Sequence, residues 1–445
     1  MKSFKYKYII FSIVLFTSCD DYLEVTPKGE IIPETLEDYE LLLNNTAMTN
    51  LSDPFYEYFT DDIYMDMGSD QITPEANAYF WRIDLDENQD DNSTLWLSAY
   101  RSQYYANTII KKVMESAGGS QAEKRAVLGE AMTIRAMNYL NLLSAFSNAY
   151  DPTINPEDPG VPLVTSINVT ETIPARATLN ESFSLIIEDL KQAIEWLPTV
   201  QQNRWRVTKF SAAALLARVY LYIHDYQNAN TYASIALQSS QENKLLDYST
   251  LEEFPIPEQN SEKLWIDKTR IAADGDGNYY SAGLLALFDQ DDLRLSIFTE
   301  QDDDGFTYRT VNEENAGIGY AEMFLIQAEY FARQGAIESA MQLVNHIRKN
   351  RFPEGSENMT LQASTKEMAL QFVLEERRRE LCFSGVRWQD MKRLNQEGMM
   401  PVVQRRVSND MMSTVIGTLE PSSPNYTFEI PLKVRLLNPE IELNH

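Results

Sequence analysis

A charged stretch near the C-terminus, EMALQFVLEERRRELCFSGVRWQDMKRL at residues 367–394, constrains the fold more than any other part of the sequence. Its apolar residues recur at spacings of 4, 7 and 7, which places them on one stripe of a helix: Leu370, Leu374, Leu381 and Trp388. Arg377 falls on the same stripe, so the helix cannot bury its apolar face without also burying a guanidinium group. A guanidinium buried in this way requires an acidic or hydrogen-bonding partner.

The same stretch places carboxylates at helical spacing from its arginines. Three pairs lie three or four residues apart: Glu376 with Arg379, Arg377 with Glu380, and Glu375 with Arg379. We therefore predict that the helix supplies its own counter-charges. Arg377 and Glu380 are interpreted as members of a structural ion cluster that holds the helix against its neighbours, not as catalytic groups.

The N-terminus is typical of a lipoprotein signal peptide over residues 1–18. Three lysines precede an apolar run at 8–16, which is too short to span a bilayer, and small residues then lead to Cys19. We expect cleavage before Cys19 and acylation of this residue, which would anchor the chain to a membrane. An ordinary secretory signal cut near a cysteine by chance is the alternative, and Phe16, where leucine is usual, favours it slightly.

Charge and cysteine content narrow the kinds of partner and site. The formal net charge is −28, and removal of Lys2, Lys5 and Lys7 with the signal peptide takes it to −31. Such a surface repels nucleic acid and anionic lipid headgroups, so a neutral ligand or another protein is the expected partner. Cys382 is the only cysteine besides Cys19, which leaves no disulfide in the lipidated chain.

Helical periodicity dominates the body of the chain, and it repeats. The segments 215–237 and 325–347 each have an alanine, an aromatic residue three positions later and a second alanine twelve positions after the first. This is the packing pattern of a tetratricopeptide-like helix pair, in which small residues let two helices approach closely. We predict a mainly α fold with a spine of such pairs, built from these helical segments: 121–147 with 179–197, 215–237, 325–347, and 366–383 with its neighbours. Helices are also predicted at 34–45 and 95–114.

Two segments, 60–94 and 247–316, lose the helical period and become rich in acidic and aromatic residues. Long insertions on a helical scaffold are common places for a binding site. Aromatic faces suit the apolar faces of sugar rings, and neighbouring polar groups can bind the hydroxyls. We therefore predict that the insertions meet on one side of the spine and carry the ligand surface, with these candidate ligand-binding residues: Tyr79, Trp81, Trp96, Tyr279 and Tyr280.

The sequence offers no motif for catalysis, a metal or a cofactor. The acidic loops that begin at Asp274 and Asp86 resemble calcium loops, but they lack the glycine and the final glutamate of an EF-hand, so only an irregular Ca²⁺ site remains open. The three histidines, His224, His346 and His445, lie far apart. No nucleophile elbow or phosphate loop occurs, and we predict that the protein is not an enzyme.

Several motifs resemble the SusD/RagB family. These are the Glu-Arg-Arg-Arg-Glu-Leu core with its following Arg-Trp, the acidic and aromatic-Leu residues after Cys19, the Trp96, Tyr100, Tyr104 and Asn107 pattern, and the ending YTFEIPLKVRLLNPEIELN. The resemblance covers nearly the whole mature chain. It implies a signal peptide at 1–18, a SusD-like N-terminal region at 19–240 and a SusD/RagB C-terminal region at 241–445, interlocked as one globular unit.

The resemblance also implies a function. Members of this family are lipoproteins of the outer membrane that face the cell exterior, bind a nutrient, typically a glycan, and act as a lid on a TonB-dependent transporter of the SusC type. The ligand could instead be a peptide, as the RagB name suggests. A surface-anchored glycan hydrolase and a helical-repeat scaffold without a ligand are the alternatives from other functional classes.

The lipoprotein interpretation predicts that Cys19→Ala leaves the protein without its anchor, because no other cysteine lies near the apolar run. The variant should appear in the soluble fraction after high-salt washing of membranes, where the parent chain stays bound. A variant that still partitions with the washed membranes would contradict lipidation at Cys19.

Overall fold

The computed structural model describes residues 33–49, 53–86, 88, 93–239, 245–267, 277–310 and 317–445. The predicted signal peptide and Cys19 lie outside these ranges, as do Asp274 and Asp276 of the loop that resembles a calcium site. The helices are α1 (Leu36–Leu43), α2 (Thr46–Thr49), α3 (Pro74–Tyr79), α4 (Thr94–Lys112), α5 (Gln121–Phe146), α6 (Leu179–Trp196), α7 (Lys209–Tyr222), α8 (Tyr226–Ala236), α9 (Ala282–Leu285), α10 (Leu293–Phe298), α11 (Tyr320–Arg333), α12 (Ile337–Arg348), α13 (Lys366–Leu381), α14 (Arg387–Gln396) and α15 (Leu432–Leu437). The strands are β1 (Ile63–Met65), β2 (Pro159–Pro162), β3 (Arg176–Thr178), β4 (Lys263–Ile266), β5 (Asn278–Tyr280), β6 (Thr299–Gln301), β7 (Thr307–Arg309), β8 (Gly317–Gly319), β9 (Val403–Arg406) and β10 (Val415–Leu419).

The long helices pack as sequential pairs, α5 with α6, α7 with α8, and α11 with α12. Successive pairs are joined because α6 packs on α7 and α8 packs on α11, while α13 extends the row by packing on α11 and α12. Helix α14 leaves this row and contacts α5, α7 and the 3₁₀ helix Pro54–Phe59. The prediction of a mainly helical fold with a tetratricopeptide-like spine is confirmed.

The two hairpins predicted from the sequence repeat use their small residues as expected. The alanines that match between them lie where the paired helices touch, and each is almost completely buried: Ala217, Ala229, Ala328 and Ala340. The turns also match, because His224 (φ 62°) ends α7 in the left-handed conformation that Gly335 (φ 76°) adopts after α11. The His224 imidazole contacts the carbonyl oxygen of Arg393 at 3.1 Å, which ties this turn to α14 and offsets the strain of a left-handed non-glycine residue.

The strands form two-stranded antiparallel pairs in the segments between the helices. The pairing of β1 with β5 places Tyr64 opposite Tyr279 and joins the two irregular insertions predicted to meet. Strands β9 and β10 form a hairpin whose turn, residues 407–414, lies near the same place, because the Tyr64 hydroxyl donates to the carbonyl of Val407 at 3.4 Å. Three distant parts of the chain therefore converge beside the spine.

A buried carboxylate on α13, that of Glu376, is surrounded by guanidinium groups from three helices. Arg294 on α10 donates to it at 2.8 Å, Arg348 on α12 at 3.0 Å, and Arg379 on α13 itself at 2.7 Å. Although burial alone would raise it, these three arginines hold the pKa of Glu376 well below its usual range. One helical turn on, Glu380 receives Arg351 at 2.7 Å and Arg294 at 2.9 Å.

The predicted burial of Arg377 is confirmed, since its side chain is 3 % exposed, but the predicted partner is wrong. Its Nε donates to Asp390 of α14 at 2.8 Å, and an Nη atom lies 3.6 Å from Glu322 of α11. Glu380 turns away because Arg351 and Arg294 occupy it. Helix α13 therefore pairs its charges mainly with other helices. Of the three pairs expected within the helix, the structure contains Glu376 with Arg379.

The N-terminal insertion is fixed to the break between α13 and α14 by a second buried polar contact. The backbone N–H of Gly385 (φ 77°) donates to Oε1 of Glu57 at 2.8 Å, while Oε2 of Glu57 has no hydrogen-bond partner among the residues that the structure describes. Burial, with a smaller contribution from the nearby Asp62 carboxylate, raises the pKa of Glu57 to about 8. The Glu57 side chain is thus protonated in the folded protein at neutral pH.

Replacing Arg377 with alanine should destabilise the fold without abolishing it. Removing one partner of a buried ion pair costs about 3 to 5 kcal/mol, and the lower end is expected because Asp390 keeps Arg393 and Glu322 keeps Arg218. Thermal unfolding followed by circular dichroism should show a melting temperature lower by several degrees than that of the parent. Arg101→Ala, on the exposed face of α4, is the control and should melt like the parent. An unchanged melting curve for Arg377→Ala would contradict its burial.

The raised pKa of Glu57 predicts that the folded protein loses stability as pH rises. Its pKa is higher in the folded chain, at about 8, than the ordinary value of 4.5, so the folded state binds a proton that the unfolded state releases between these two pH values. Glu57→Gln mimics the protonated side chain, so it should match the parent at pH 5 and melt several degrees higher at pH 8.5. Glu37→Gln, at an exposed position of α1, should show no such divergence. Equal melting temperatures for Glu57→Gln and the parent at both pH values would rule out a raised pKa.

Candidate functional site

A cavity of 270 Å³ opens where the three converging segments meet. Its walls come from β1, from the start of α9 and from β9 with the turn that follows it. The wall combines apolar residues with side chains that can donate or accept hydrogen bonds. The latter are Asp61, Tyr64, Ser281, Arg378, Gln404, Arg405, Arg406, Ser408, Asn409 and Asp410. A concave site with an apolar part and several polar groups is the usual form of a small-ligand site.

Arg405 holds the floor of this cavity together. Its guanidinium donates to four backbone carbonyl groups at 2.8 to 3.1 Å, those of Tyr58, Thr60, Ile63 and Tyr79. Aromatic rings flank the cation, with the ring centres of Tyr79 and Trp81 at 3.9 and 4.2 Å. Burial lowers the pKa of Arg405 to about 10, so the group is still cationic at neutral pH. Carbonyl dipoles and ring faces thus take the place of a carboxylate partner.

The turn at the tip of the β9–β10 hairpin is fixed to α9 by one asparagine. The Asn409 amide donates to the carbonyl of Tyr280 at 2.8 Å, and its Oδ1 accepts from the backbone N–H of Ala282 at 2.7 Å. The Ser281 hydroxyl donates to the carbonyl of Asp61 at 2.7 Å, which links the same loop to the residues before β1. The cavity walls are therefore cross-linked by hydrogen bonds between segments that are far apart in sequence.

Three aromatic rings stand beside the cavity. Tyr64 stacks on Tyr279 with ring centres 6.3 Å apart and on Phe306 at 5.6 Å, and Tyr279 contacts Phe306 at 4.9 Å. We call these three rings the aromatic cluster. Phe306 is half-buried at the outer edge, and a hydrogen bond to the Asp302 carboxylate raises the pKa of the Tyr279 hydroxyl. Because Tyr64 also lines the cavity, the aromatic cluster and the polar wall form one continuous site.

Comparison with known proteins now identifies the family. Residues 21–221 match the family described as SusD-like, starch-binding and associating with the outer membrane, and residues 217–423 match the SusD family. The chain belongs to the SusD family. This family consists of carbohydrate-binding proteins that are typically associated with the outer membrane, and the resemblance noted in the sequence is confirmed.

Relatives and solved structures of the SusD family cover nearly all of the chain. SusD-like protein P38 of Formosa agariphila is 25% identical over an alignment of 504 residues that covers 90% of this chain and 94% of the relative. A SusD superfamily protein of Bacteroides thetaiotaomicron has the same fold with a TM-score of 0.76 at 20% identity, covering 92% of this chain and 100% of that one. A putative sugar binding protein of Bacteroides vulgatus has a TM-score of 0.75 at 24% identity, covering 93% of this chain and 99% of that one.

Within this SusD fold, three of the predicted ligand-binding rings belong to the core, which corrects the sequence prediction. Trp81 is 0 % exposed and donates to the carbonyl of Phe59 at 2.7 Å. Tyr79 lines the cavity but is only 1 % exposed, with Arg405 over its ring, and Tyr280, 2 % exposed, packs on Phe383. None of these rings has a face open to a sugar.

The other two predicted rings differ from each other. Tyr279 belongs to the aromatic cluster and remains a candidate for ligand contact. Trp96 lies on α4, half-buried against Tyr100 and Phe146, and the structure does not bring it to the cavity. Sequence reasoning missed the β9–β10 hairpin entirely, although two consecutive arginines in an extended segment followed by the Ser-Asn-Asp turn were a signal for it.

The described residues contain no group of three or more histidine, cysteine, aspartate or glutamate side chains placed to hold a metal ion. Over the same part of the chain, no helix combines the length and apolar character needed to cross a membrane. Asp61 and Asp410 are the carboxylates of the cavity wall. Although burial raises it, Arg378 and Arg387 hold the pKa of Asp61 well below its ordinary range, so this group cannot supply a proton at neutral pH.

Proposed function

We propose that this chain is a surface lipoprotein of the outer membrane that binds a nutrient glycan and delivers it to a TonB-dependent transporter of the SusC type. The observation that carries the proposal is the continuity of the aromatic cluster with the polar cavity wall through Tyr64. Family membership supports the ligand class, and the Asp61 carboxylate held by two arginines supports capture without catalysis.

The two parts of the site have separate roles in this proposal. In the aromatic cluster Tyr64 and Tyr279 are buried, at 5 % and 8 % exposure, and they support the half-buried ring of Phe306, against which a sugar ring can pack. The side chains of Gln404 and Ser408 are exposed on the cavity wall and can exchange hydrogen bonds with hydroxyl groups. Asn409 has both ends of its amide engaged by the backbone and therefore shapes the wall.

Affinity is expected to be modest. Each packed ring contributes about 0.5 to 1.5 kcal/mol beyond buried area, and association itself costs several kcal/mol. Two or three rings with a few hydrogen bonds then give roughly −4 to −7 kcal/mol, which corresponds to millimolar to tens of micromolar dissociation constants. Binding in this range allows a surface protein to release its cargo to a transporter.

The sequence features and family membership support the proposed location. We propose that lipid attached to Cys19 holds the protein on the outer face of the outer membrane, with residues 20–32 as the connection to the folded body. A hydrolase would need a carboxylic acid able to donate a proton in the site, and Asp61 is not suited to this. No observation favours a scaffold without a ligand over the binding role.

The site proposal predicts that Phe306→Ala and Tyr279→Ala each weaken glycan binding severalfold, because each removes one ring of the aromatic cluster. A screen of the acyl-free protein against soluble polysaccharides and peptides, followed by calorimetric titration, would identify a ligand and measure the loss. Phe306→Ala should melt close to the parent because Phe306 is half-buried, whereas Tyr279→Ala removes a buried ring and is expected to lower the melting temperature as well.

Two controls separate ligand contact from packing. Tyr104→Ala removes an exposed ring on α4, outside the cavity, and should leave binding unchanged. Trp81→Ala removes a core ring and should lower the melting temperature by several degrees. If Phe306→Ala and Tyr279→Ala bind like the parent, the aromatic cluster is not the ligand surface.

A further inference from the structure

The cavity wall carries more positive than negative charge, in contrast to the chain as a whole. Three arginines line it, Arg378, Arg405 and Arg406, against the two carboxylates Asp61 and Asp410. Arg378 and Arg387 pair with Asp61 at 3.2 and 2.7 Å, and Arg378 also pairs with the buried Asp62 at 2.6 Å, so these two cations and two carboxylates balance. Arg405 and Arg406 then remain against Asp410, which leaves the wall with a net positive charge.

Arg406 is the accessible member of this pair. Its guanidinium donates to two neutral acceptors, the backbone carbonyl of Ser413 and the side-chain oxygen of Gln404. Within the part of the chain that the structure describes, no carboxylate lies within 4.0 Å of it. The side chain is half-exposed, so it remains hydrated and available to an incoming anion.

Other acidic residues lie around the site and have hydrogen-bonding partners of their own. Asp302 is bound by the Tyr279 hydroxyl, and Asp66 interacts with the Tyr64 hydroxyl, so both flank the aromatic cluster. The Asp410 carboxylate accepts the backbone N–H of Met412 at 2.8 Å, which orients it into the hairpin turn. Asp302 thus lies beside Tyr279, whereas the Tyr64 hydroxyl that Asp66 contacts also reaches the carbonyl of Val407, next to Arg406.

The net charge of −28 does not oppose an anionic ligand in such a site. At physiological ionic strength charges are screened over about 8 Å, so the side chains that line a cavity determine its potential and distant surface carboxylates contribute little. The buried cation of Arg405, beneath the same wall, strengthens the local positive field because it has neutral carbonyl partners.

We propose that the sugar bound here carries an anionic substituent, a uronate carboxylate or a sulfate ester, and that Arg406 binds that group. This inference rests on the proposed glycan-binding function and specifies its ligand class. A planar guanidinium can receive a carboxylate or sulfate through two parallel hydrogen bonds. The hydroxyls of the same sugar would then reach Ser408 and Gln404, with the neighbouring ring toward the aromatic cluster.

Calorimetric titration of the acyl-free protein with matched saccharides tests the inference. The probes are an oligogalacturonate and its neutral methyl ester, a sulfated galactan oligosaccharide and its desulfated form, and a polyglutamate peptide. We expect one acidic saccharide to bind at least tenfold more tightly than its neutral counterpart at low salt. Raising the salt concentration should reduce this preference. The carboxylate and sulfate arms identify which anion is preferred.

Variants of Arg406 assign the preference to this residue. Arg406→Gln should bring the ratio of the two affinities, acidic over neutral, down to about one, and Arg406→Lys should retain part of the preference. Arg101→Gln makes the same charge change at an exposed position of α4 and should have no effect. Melting curves of the Arg406 variants should match the parent, because the side chain is half-exposed.

The remaining outcomes overturn the inference in distinguishable ways. Equal binding of acidic and neutral saccharides, unchanged in Arg406→Gln, would reject the anionic ligand and leave the glycan-binding function intact. Polyglutamate that binds as tightly as the acidic saccharides and competes with them would mean that the site takes acidic peptides. If neither saccharide class binds, the proposed function fails together with the inference.

Discussion

The fold depends on the three guanidinium groups gathered around the buried carboxylate of Glu376. Because these arginines come from α10, α12 and α13, one carboxylate fixes the relative positions of the insertion and the last helices of the spine. A carboxylate without these partners could not stay ionised in the interior, and the arginines would lose their shared acceptor. Glu380, one helical turn after Glu376 on α13, extends the cluster through Arg351 to Glu262 beside β4. The charged stretch of the sequence is therefore the junction between scaffold and insertion.

The spine was predictable because its signals are local. Helical periodicity and the spacing of alanines depend on residues a few positions apart, and the buried Ala217 and Ala328 confirm both. The partners of Arg377 were not predictable in the same way. Asp390 and Glu322 approach it only after three helices have packed, and nothing in the spacing of charges distinguishes them from Glu380. A buried charge can be recognised from sequence more easily than its partner.

The aromatic residues show the same limit. Tyr79 and Trp81 lie in a segment without helical period, where a sequence gives no indication of which face is covered, and Arg405 covers both from a strand more than three hundred residues away. The meeting of the two insertions was predicted and is seen in the pairing of β1 with β5. The hairpin that completes the cavity was missed, because its contribution comes from polar side chains whose role depends on what faces them.

Arg405 and Arg406 are adjacent on β9, yet Arg405 is buried among backbone carbonyls at the floor of the cavity and Arg406 is half-exposed on its wall. Successive side chains of a strand point in opposite directions, so the two roles are separated only by the alternation of the backbone. Loss or gain of a single residue within β9 would exchange the two faces and remove the clamp and the cavity arginine together. Variation by substitution at Arg406 or within the turn 407–414 leaves the clamp in place. Related chains can therefore change their ligand by substitutions at this position or by replacement of the turn, whereas insertion or deletion of one residue in this strand would disrupt the site.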